Sequence, residues 1–172
     1  MKILTVHGFL AKADNKNYKA LRDIMPAKDI ISPQLHYIEK PPQEILDMLS
    51  GLVGSDDFIF VGQSLGGWYA DKLSRKFGCP CILTNPCYYP YELELITDSG
   101  MPAEYLAQYR EMTSQDRNEL AHTLCSDNDT IIPDNYVSCV KLSRTVTIVH
   151  GGHSSIEDLR EHLCTLLEKI KR

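Results

Sequence analysis

One serine in the chain has the neighbours that a nucleophile would need. Residues 62–67 read Gly-Gln-Ser-Leu-Gly-Gly, which sets Ser64 between two glycines. An apolar run at 58–61 precedes them, and a stretch at 65–77 that is predicted to be helical follows. In such a strand-to-helix turn the glycines permit a sharp bend, which strains the serine and exposes its hydroxyl. We predict that Ser64 attacks an acyl carbon; the alternative is a turn whose serine only caps the helix.

A serine nucleophile requires a base, and the base requires an orienting acid. Residues 126–133, after a short apolar segment, read Ser-Asp-Asn-Asp-Thr-Ile-Ile-Pro. Asp129 is the preferred acid, because it directly precedes the segment that would begin the next helix and so stays at the end of the sheet. Asp127 is the rival, and either carboxylate could instead cap a helix or form a turn.

The base is expected after the next strand. The β-branched run at 145–149 predicts that strand, and the sequence continues His-Gly-Gly-His-Ser-Ser. His153 lies at the far end of this loop, where two glycines allow the chain to bend back toward Ser64. His150 directly continues the strand and is the weaker candidate, and a lone histidine often has no chemical role.

An oxyanion site is predicted at the first turn of the chain. Residues 1–6 form a predicted strand, and His7-Gly8-Phe9 follows it. We expect the backbone amides of Phe9 and Leu65 to donate to the oxyanion of a tetrahedral intermediate. His7 and Gly8 shape this turn, and the alternative is a turn in which the glycine serves geometry alone.

The remaining pattern alternates strands and helices, which predicts an α/β fold with a mostly parallel sheet and helices on both faces. We treat residues 1–172 as a single domain. Strands are predicted near 2–6, 57–61, 80–84, 120–125 and 145–149, with a weaker one near 29–35, and helices near 17–25, 42–53, 65–77, 133–141 and 155–171.

Residues 86–117 break the alternation. They contain five of the nine tyrosines and a predicted helix at 102–112. We predict a small helical cap over Ser64 that offers an apolar wall to an acyl chain. The substrate pocket is assigned to His7, Gln63, Tyr88 and Tyr89; the alternative is that the aromatic residues only join the cap to the body.

Three segments resemble one family. Val-His-Gly-Phe at 6–9, Gly-Gln-Ser-Leu-Gly-Gly-Trp-Tyr-Ala at 62–70 and Leu-Thr-Asn-Pro-Cys-Tyr-Tyr-Pro-Tyr-Glu-Leu at 83–93 are similar to the small bacterial YqiA-type esterases of the α/β-hydrolase superfamily. The resemblance covers most of the chain. It implies a minimal α/β-hydrolase fold, esterase or thioesterase activity, and a triad of Ser64, Asp129 and His153.

Two departures from the family pattern lie in the site loops. The acid follows Asn128, where the family often has Gly-Asp. The histidine follows two glycines directly instead of a Gly-Gly-Asn segment, so its loop is one residue shorter.

Composition limits the partners. The formal net charge is −5 and no run of basic residues is present, which argues against nucleic acid and anionic membranes as partners. No apolar stretch approaches the roughly 18 residues of a membrane helix, so we expect a cytoplasmic protein. The six cysteines are expected to be free thiols. We predict no metal and no cofactor.

These observations together predict a serine hydrolase. It would cleave small carboxylic esters or acyl thioesters through an acyl-serine intermediate. A non-catalytic binding protein with the same fold is one alternative, and a peptidase or amidase with the same triad is another. The triad does not specify the leaving group, and the sequence does not indicate the oligomeric state.

Overall fold

Six parallel strands form the central sheet of the computed structural model, which describes residues 1–171. The three strands at its centre, β1, β3 and β4, are buried along almost their whole length. Across the sheet the order is β2-β1-β3-β4-β5-β6, so the direction of winding changes between β1 and β3. Ligands of open parallel sheets bind at such a switch point, beyond the carboxyl ends of the strands. The strands are β1 (Lys2–Val6), β2 (Ile30–Ile31), β3 (Phe58–Gln63), β4 (Cys81–Thr84), β5 (Asn118–Ser126) and β6 (Ser143–Val149).

Helices cover both faces of the sheet, as predicted. Successive residues of a strand point to opposite faces, and the apolar core is divided accordingly. Leu4 and Phe60 pack on one side with α2 and α3, whereas Ile3 and Ile59 pack on the other side with α1 and α7. None of the described helices is both long and apolar enough to cross a bilayer. The helices are α1 (Lys16–Arg22), α2 (Pro42–Gly51), α3 (Leu65–Phe77), α4 (Glu94–Thr97), α5 (Ala103–Met112), α6 (Asn135–Leu142) and α7 (Leu159–Ile170).

The segment between β4 and β5 contains a 3-10 turn, α4 and α5. Two adjacent residues of α3 attach it to the body. The Trp68 indole N–H donates to Thr113 Oγ1 at 2.9 Å, and the Tyr69 hydroxyl lies 2.8 Å from the hydroxyl of Tyr109. The Trp68 and Tyr109 rings also meet edge to face, at a centroid distance of 5.0 Å. At least these aromatic residues therefore join the segment to the sheet domain.

The chain differs most from the predicted elements after β6. The predicted helix at 155–171 begins only at Leu159, because the preceding residues form a small antiparallel hairpin of β7 (Gly151–Gly152) and β8 (Ser155–Ile156). Gly151 has φ +130°, which a residue with a side chain rarely adopts. The predicted strand at 29–35 is reduced to the two residues of β2, and the predicted helix at 133–141 begins at Asn135.

Candidate active site

Ser64 occupies a sharp turn between β3 and α3. Its backbone has φ 51° and ψ −122°, a conformation that costs a non-glycine residue free energy. The flanking glycines are required, since a Cβ on Gly62 would lie 2.3 Å from the carbonyl oxygen of Gly66. A Cβ on Gly66 would lie 2.2 Å from the carbonyl oxygen of Val6 in β1. Close backbone contacts on both flanks of the serine, one with α3 and one with β1, therefore hold it in its strained conformation.

His153 and Asp129 form a buried hydrogen-bonded pair. His153 is one of two residues at the tip of the β7-β8 hairpin, and its Nδ1 donates to Asp129 Oδ2 at 2.8 Å. The other carboxylate oxygen accepts the amides of Ile131 and Ile132, each at 3.0 Å. The exposed fractions of the two side chains are only 10% for His153 and 4% for Asp129. The shorter histidine loop thus reaches the acid without an extra residue.

The carboxylate is held in its ionised form. Burial disfavours the charge and acts to raise the pKa of Asp129, but the hydrogen bonds from His153 and from the Ile132 and Ile131 amides outweigh it, so the pKa lies below its usual value. A carboxylate that accepts several N–H groups remains charged at neutral pH. Asp129 can therefore fix the orientation of the imidazole and stabilise its protonated form.

The histidine hairpin lies beside the turn that carries Ser64. Gln63 Nε2, one residue before the serine, donates to Ser154 Oγ, one residue after the histidine, at 3.1 Å. Within residues 1–171 the side chains of Ser64 and His153 make no direct hydrogen bond.

Two backbone amides are available next to the serine. A Cβ placed on Gly8 would lie 3.2 Å from Ser64 Cβ, so the turn after β1 touches the turn that carries Ser64. Phe9 follows this glycine directly. Leu65 is the first residue of α3, and its amide has no acceptor within the helix. Both amides that were predicted for the oxyanion therefore belong to turns in contact with Ser64.

A second aspartate–histidine pair lies in the same loops. His150 Nδ1 donates to Asp127 Oδ2 at 2.7 Å, and Asp127 Oδ1 accepts the amide of Gly151 at 3.1 Å. This hydrogen bond raises the pKa of the His150 imidazole, but the side chain is 73% exposed and that of Asp127 is 41% exposed. The rival acid and the rival base thus bind each other, at the surface.

A protein-family model and several solved structures match this chain. The model of the uncharacterised protein family UPF0227 matches residues 2–168. The chain belongs to this family. It is the YqiA-type family that the three sequence segments resemble, so that prediction is confirmed.

Several solved structures share the fold of this UPF0227 chain. Mouse α/β hydrolase domain-containing protein 10 is 17% identical with a TM-score of 0.69, covering 99% of this chain and 89% of that chain. An α/β hydrolase enzyme from the metagenome of lagoon sediments at Mar Chica, Morocco, is 17% identical with a TM-score of 0.71, covering 99% and 90%. The type II thioesterase BorB of the borrelidin cluster is 15% identical with a TM-score of 0.65, covering 99% and 91%. The chain therefore has the α/β-hydrolase fold.

Of the residues assigned to the substrate pocket, His7 lies beneath the turn that contains Gly8 and Phe9. It is almost fully buried, its Nδ1 donates to the Gly8 carbonyl at 2.8 Å, and its Nε2 accepts the Leu35 amide at 2.9 Å. The Tyr37 hydroxyl donates to the His7 carbonyl. Burial lowers the pKa of His7, and an imidazole that accepts through Nε2 must be neutral. Through these hydrogen bonds the buried His7 side chain supports the turn.

A cleft of about 280 Å³ lies between residues 87–93 and residues 131–138. Cys87 in its wall donates its amide to the Ser64 carbonyl at 3.0 Å. Tyr89 lies half-exposed on the wall, whereas Tyr88 is buried and its hydroxyl lies 2.6 Å from Ser143 Oγ. Gln63 lies beside the histidine hairpin instead. The apolar part of the lining comes from Tyr88, Tyr89, Leu93, Ile131, Ile132 and Pro133.

Asn85 is a residue of the site for which the sequence predicts no role. Its side chain is fully buried at the end of β4 and contacts the histidine hairpin. The sequence feature that could have indicated its role is an asparagine before a proline at the end of a strand. Among residues 1–171 no group of three or more histidine, cysteine, aspartate or glutamate side chains is arranged to hold a metal ion.

Proposed function

We propose that the protein is a serine hydrolase that cleaves small carboxylic esters or acyl thioesters. One observation carries the proposal: the buried Asp129–His153 pair lies beside a serine held at positive φ on the turn after β3. A binding protein has no need of a buried, ionised acid that orients an imidazole next to a strained serine. The α/β-hydrolase fold supports the same reading by analogy.

In the proposed mechanism, Ser64 Oγ attacks the acyl carbon while His153 Nε2 takes its proton. Asp129 holds Nδ1–H and stabilises the imidazolium. The Phe9 and Leu65 amides receive the developing oxyanion. His153 then protonates the leaving alkoxide or thiolate, which leaves as an alcohol or thiol. A water molecule, deprotonated by the same histidine, hydrolyses the acyl-serine and releases the acid.

The cleft supports a small acyl group. Its volume of about 280 Å³ lies at the lower limit of pockets that hold drug-sized ligands. Esters and thioesters both fit the chemistry, and one structural neighbour is a type II thioesterase. We therefore expect short acyl chains to be turned over faster than long ones.

The test is hydrolysis of p-nitrophenyl esters, from acetyl to dodecanoyl, of the matching acyl-coenzyme A thioesters and of the matching p-nitroanilides, which are amides. Wild type, Ser64→Ala and the surface control His150→Ala are compared, and each is treated with a fluorophosphonate probe. Turnover and labelling should vanish in Ser64→Ala and persist in His150→Ala. A folded wild type that neither turns over nor labels would favour the binding protein, and turnover of amides alone would favour the amidase.

A further inference from the structure

The Asn85 side chain connects two of the three loops that carry the proposed triad. Its Nδ2 donates to the His153 carbonyl at 2.9 Å, to the Gly152 carbonyl at 3.3 Å and to Ser126 Oγ at 2.8 Å. Its Oδ1 accepts the Ser126 amide at 2.7 Å. Gly152 and His153 belong to the histidine hairpin, and Ser126 ends the strand that precedes Asp129. One buried amide therefore joins the base loop to the acid loop.

The backbone of the same residue is tied to the neighbouring strands. The Asn85 amide donates to the Leu124 carbonyl at 2.9 Å, and the Ser64 amide donates to the carbonyl of Thr84, the residue before Asn85, at 3.1 Å. Asn85 has φ +44°, a conformation that asparagine tolerates better than most residues with a side chain. Strained conformations of this kind persist where the surrounding structure fixes them.

We propose that Asn85 is the positioning residue of the site, which holds the His153 hairpin in register with Asp129 and Ser64. The role rests on the proposed function, because it concerns the base of that reaction. Asn85 does not touch the reacting atoms. It acts through the backbone carbonyl of His153, so its loss moves the imidazole and leaves the cleft intact.

The chemistry of the contact requires an amide. All three partners of Nδ2 are oxygen atoms, so the position needs a donor on one side and an acceptor for the Ser126 amide on the other. Asn85→Asp keeps the shape but turns the donor into a carboxylate oxygen that faces the carbonyls of Gly152 and His153. Asn85→Ala leaves those carbonyls without their donor, and buried polar groups without partners are destabilising.

The chain offers a closely matched control at the opposite end of the sheet. Asn118 is also buried, and its Nδ2 donates to Asp71 Oδ1 at 2.8 Å and to Ser74 Oγ at 3.2 Å. Its Oδ1 accepts the Leu120 amide at 2.9 Å. Asn118→Ala therefore removes a comparable buried network, at the amino end of β5 and remote from Ser64.

The experiment compares wild type, Asn85→Ala, Asn85→Asp and Asn118→Ala in ester turnover and in thermal unfolding. Because displacement of a catalytic group by about 1 Å can cost about 100-fold, kcat should fall by about 100-fold in both Asn85 variants, with KM nearly unchanged. Asn118→Ala should lose a similar amount of Tm and keep its kcat. Equal losses of kcat in Asn85→Ala and Asn118→Ala would overturn the positioning role, as would a folded Asn85→Ala with the kcat of wild type.

A second measurement does not depend on turnover. The Nδ1 proton of His153, hydrogen-bonded to Asp129, should give a downfield proton NMR signal that is absent in His153→Ala. The signal should shift or broaden in Asn85→Ala and stay in place in Asn118→Ala. If wild type hydrolyses no substrate, the proposed function fails, and this signal still decides whether Asn85 positions the imidazole. An unchanged signal in Asn85→Ala would refute the inference.

Discussion

At the scale of single residues, burial distinguishes the two aspartate–histidine pairs. Both pairs join the loop after β5 to the loop after β6, with hydrogen bonds of 2.7 and 2.8 Å. The Asp127–His150 pair lies in solvent, where an ion pair contributes little to stability. The Asp129–His153 pair is almost fully buried, so its charge acts through a medium that screens it far less.

Replacement of each acid by its amide should therefore have very different effects on activity. Asp129→Asn should lower kcat by about 10⁴-fold, because an amide can stabilise the wrong tautomer of His153. Asp127→Asn should change kcat by less than about five-fold, in line with an exposed pair. Steady-state hydrolysis of one short ester by the two variants measures the contrast. A larger loss of kcat in Asp127→Asn than in Asp129→Asn would show that Asp127, and not Asp129, is the orienting acid.

The buried His7 should make stability depend on pH. Burial lowers its pKa in the folded protein, whereas the unfolded chain titrates near the ordinary value of about 6.5. Between these two pKa values the unfolded chain binds a proton that the folded protein does not. The free energy of unfolding should therefore fall as the pH drops below about 6.5. In His7→Gln the decline between about pH 7 and pH 5 should be shallower.

Urea unfolding of wild type and His7→Gln across this pH range measures the difference. His122 is buried, and its pKa is lowered mainly by burial, with contributions from Lys169 and Arg144. Both proteins retain His122, so the comparison isolates His7. Parallel curves for the two proteins would mean that His7 is protonated in the folded state, with its hydrogen bond to the Leu35 amide lost.

At the scale of elements, the hairpin of β7 and β8 determines where His153 lies. It presents His153 at its tip, and this geometry depends on Gly151. A Cβ on Gly151 would lie 2.1 Å from the Ser155 carbonyl oxygen, and its φ of +130° is strained for any other residue. Gly151→Ala should therefore distort the hairpin and lower kcat by at least about 100-fold, with most of the fold retained.

The matched control is Gly54→Ala. No atom lies within 4 Å of a Cβ at Gly54, so this variant should keep the kcat and Tm of wild type. Circular dichroism verifies that both variants fold, and ester hydrolysis compares their kcat values. Full activity in Gly151→Ala would show that the position of His153 does not depend on the hairpin.

Patterns in the sequence predicted the sheet because buried parallel strands are continuous apolar runs. The turn that carries Ser64 was equally recognisable in the sequence, since glycines at 62 and 66 are required by close backbone contacts. The hairpin was missed, because two strands of two residues carry no periodicity and the amphipathic pattern of α7 appeared to extend back to 155. Asn85 was missed as a contact residue, because its partners at 126, 152 and 153 are distant in sequence.

At the scale of the whole molecule, the candidate site lies where the strand order switches. Phe9 follows β1 and Ser64 follows β3, the two strands between which the winding changes direction. The residues at 86–117 adjoin the same end of the sheet and contribute Cys87, Tyr89 and Leu93 to the cleft. The attachment of this segment to α3 should therefore affect both the stability of the molecule and the shape of the cleft.

Tyr109 is the main anchor of that attachment. It is fully buried, and its hydroxyl lies 2.8 Å from that of Tyr69. Tyr109→Phe leaves the Tyr69 hydroxyl without this partner, so the free energy of unfolding should fall by about 1–3 kcal/mol. Tyr105→Phe on the same helix is the control, since within residues 1–171 its hydroxyl makes no hydrogen bond.

Urea unfolding measures the stabilities, and hydrogen exchange locates the change. Amides of residues 94–112 should exchange faster in Tyr109→Phe than in Tyr105→Phe, while those of β3 and β4 should remain protected. The double variant Tyr69→Phe with Tyr109→Phe should recover part of the lost stability, because replacement of both partners leaves no buried hydroxyl unpaired. If the double variant were less stable by the sum of two single losses, the hydroxyl pair would not be the anchor, and ring packing against Trp68 would hold the segment in place.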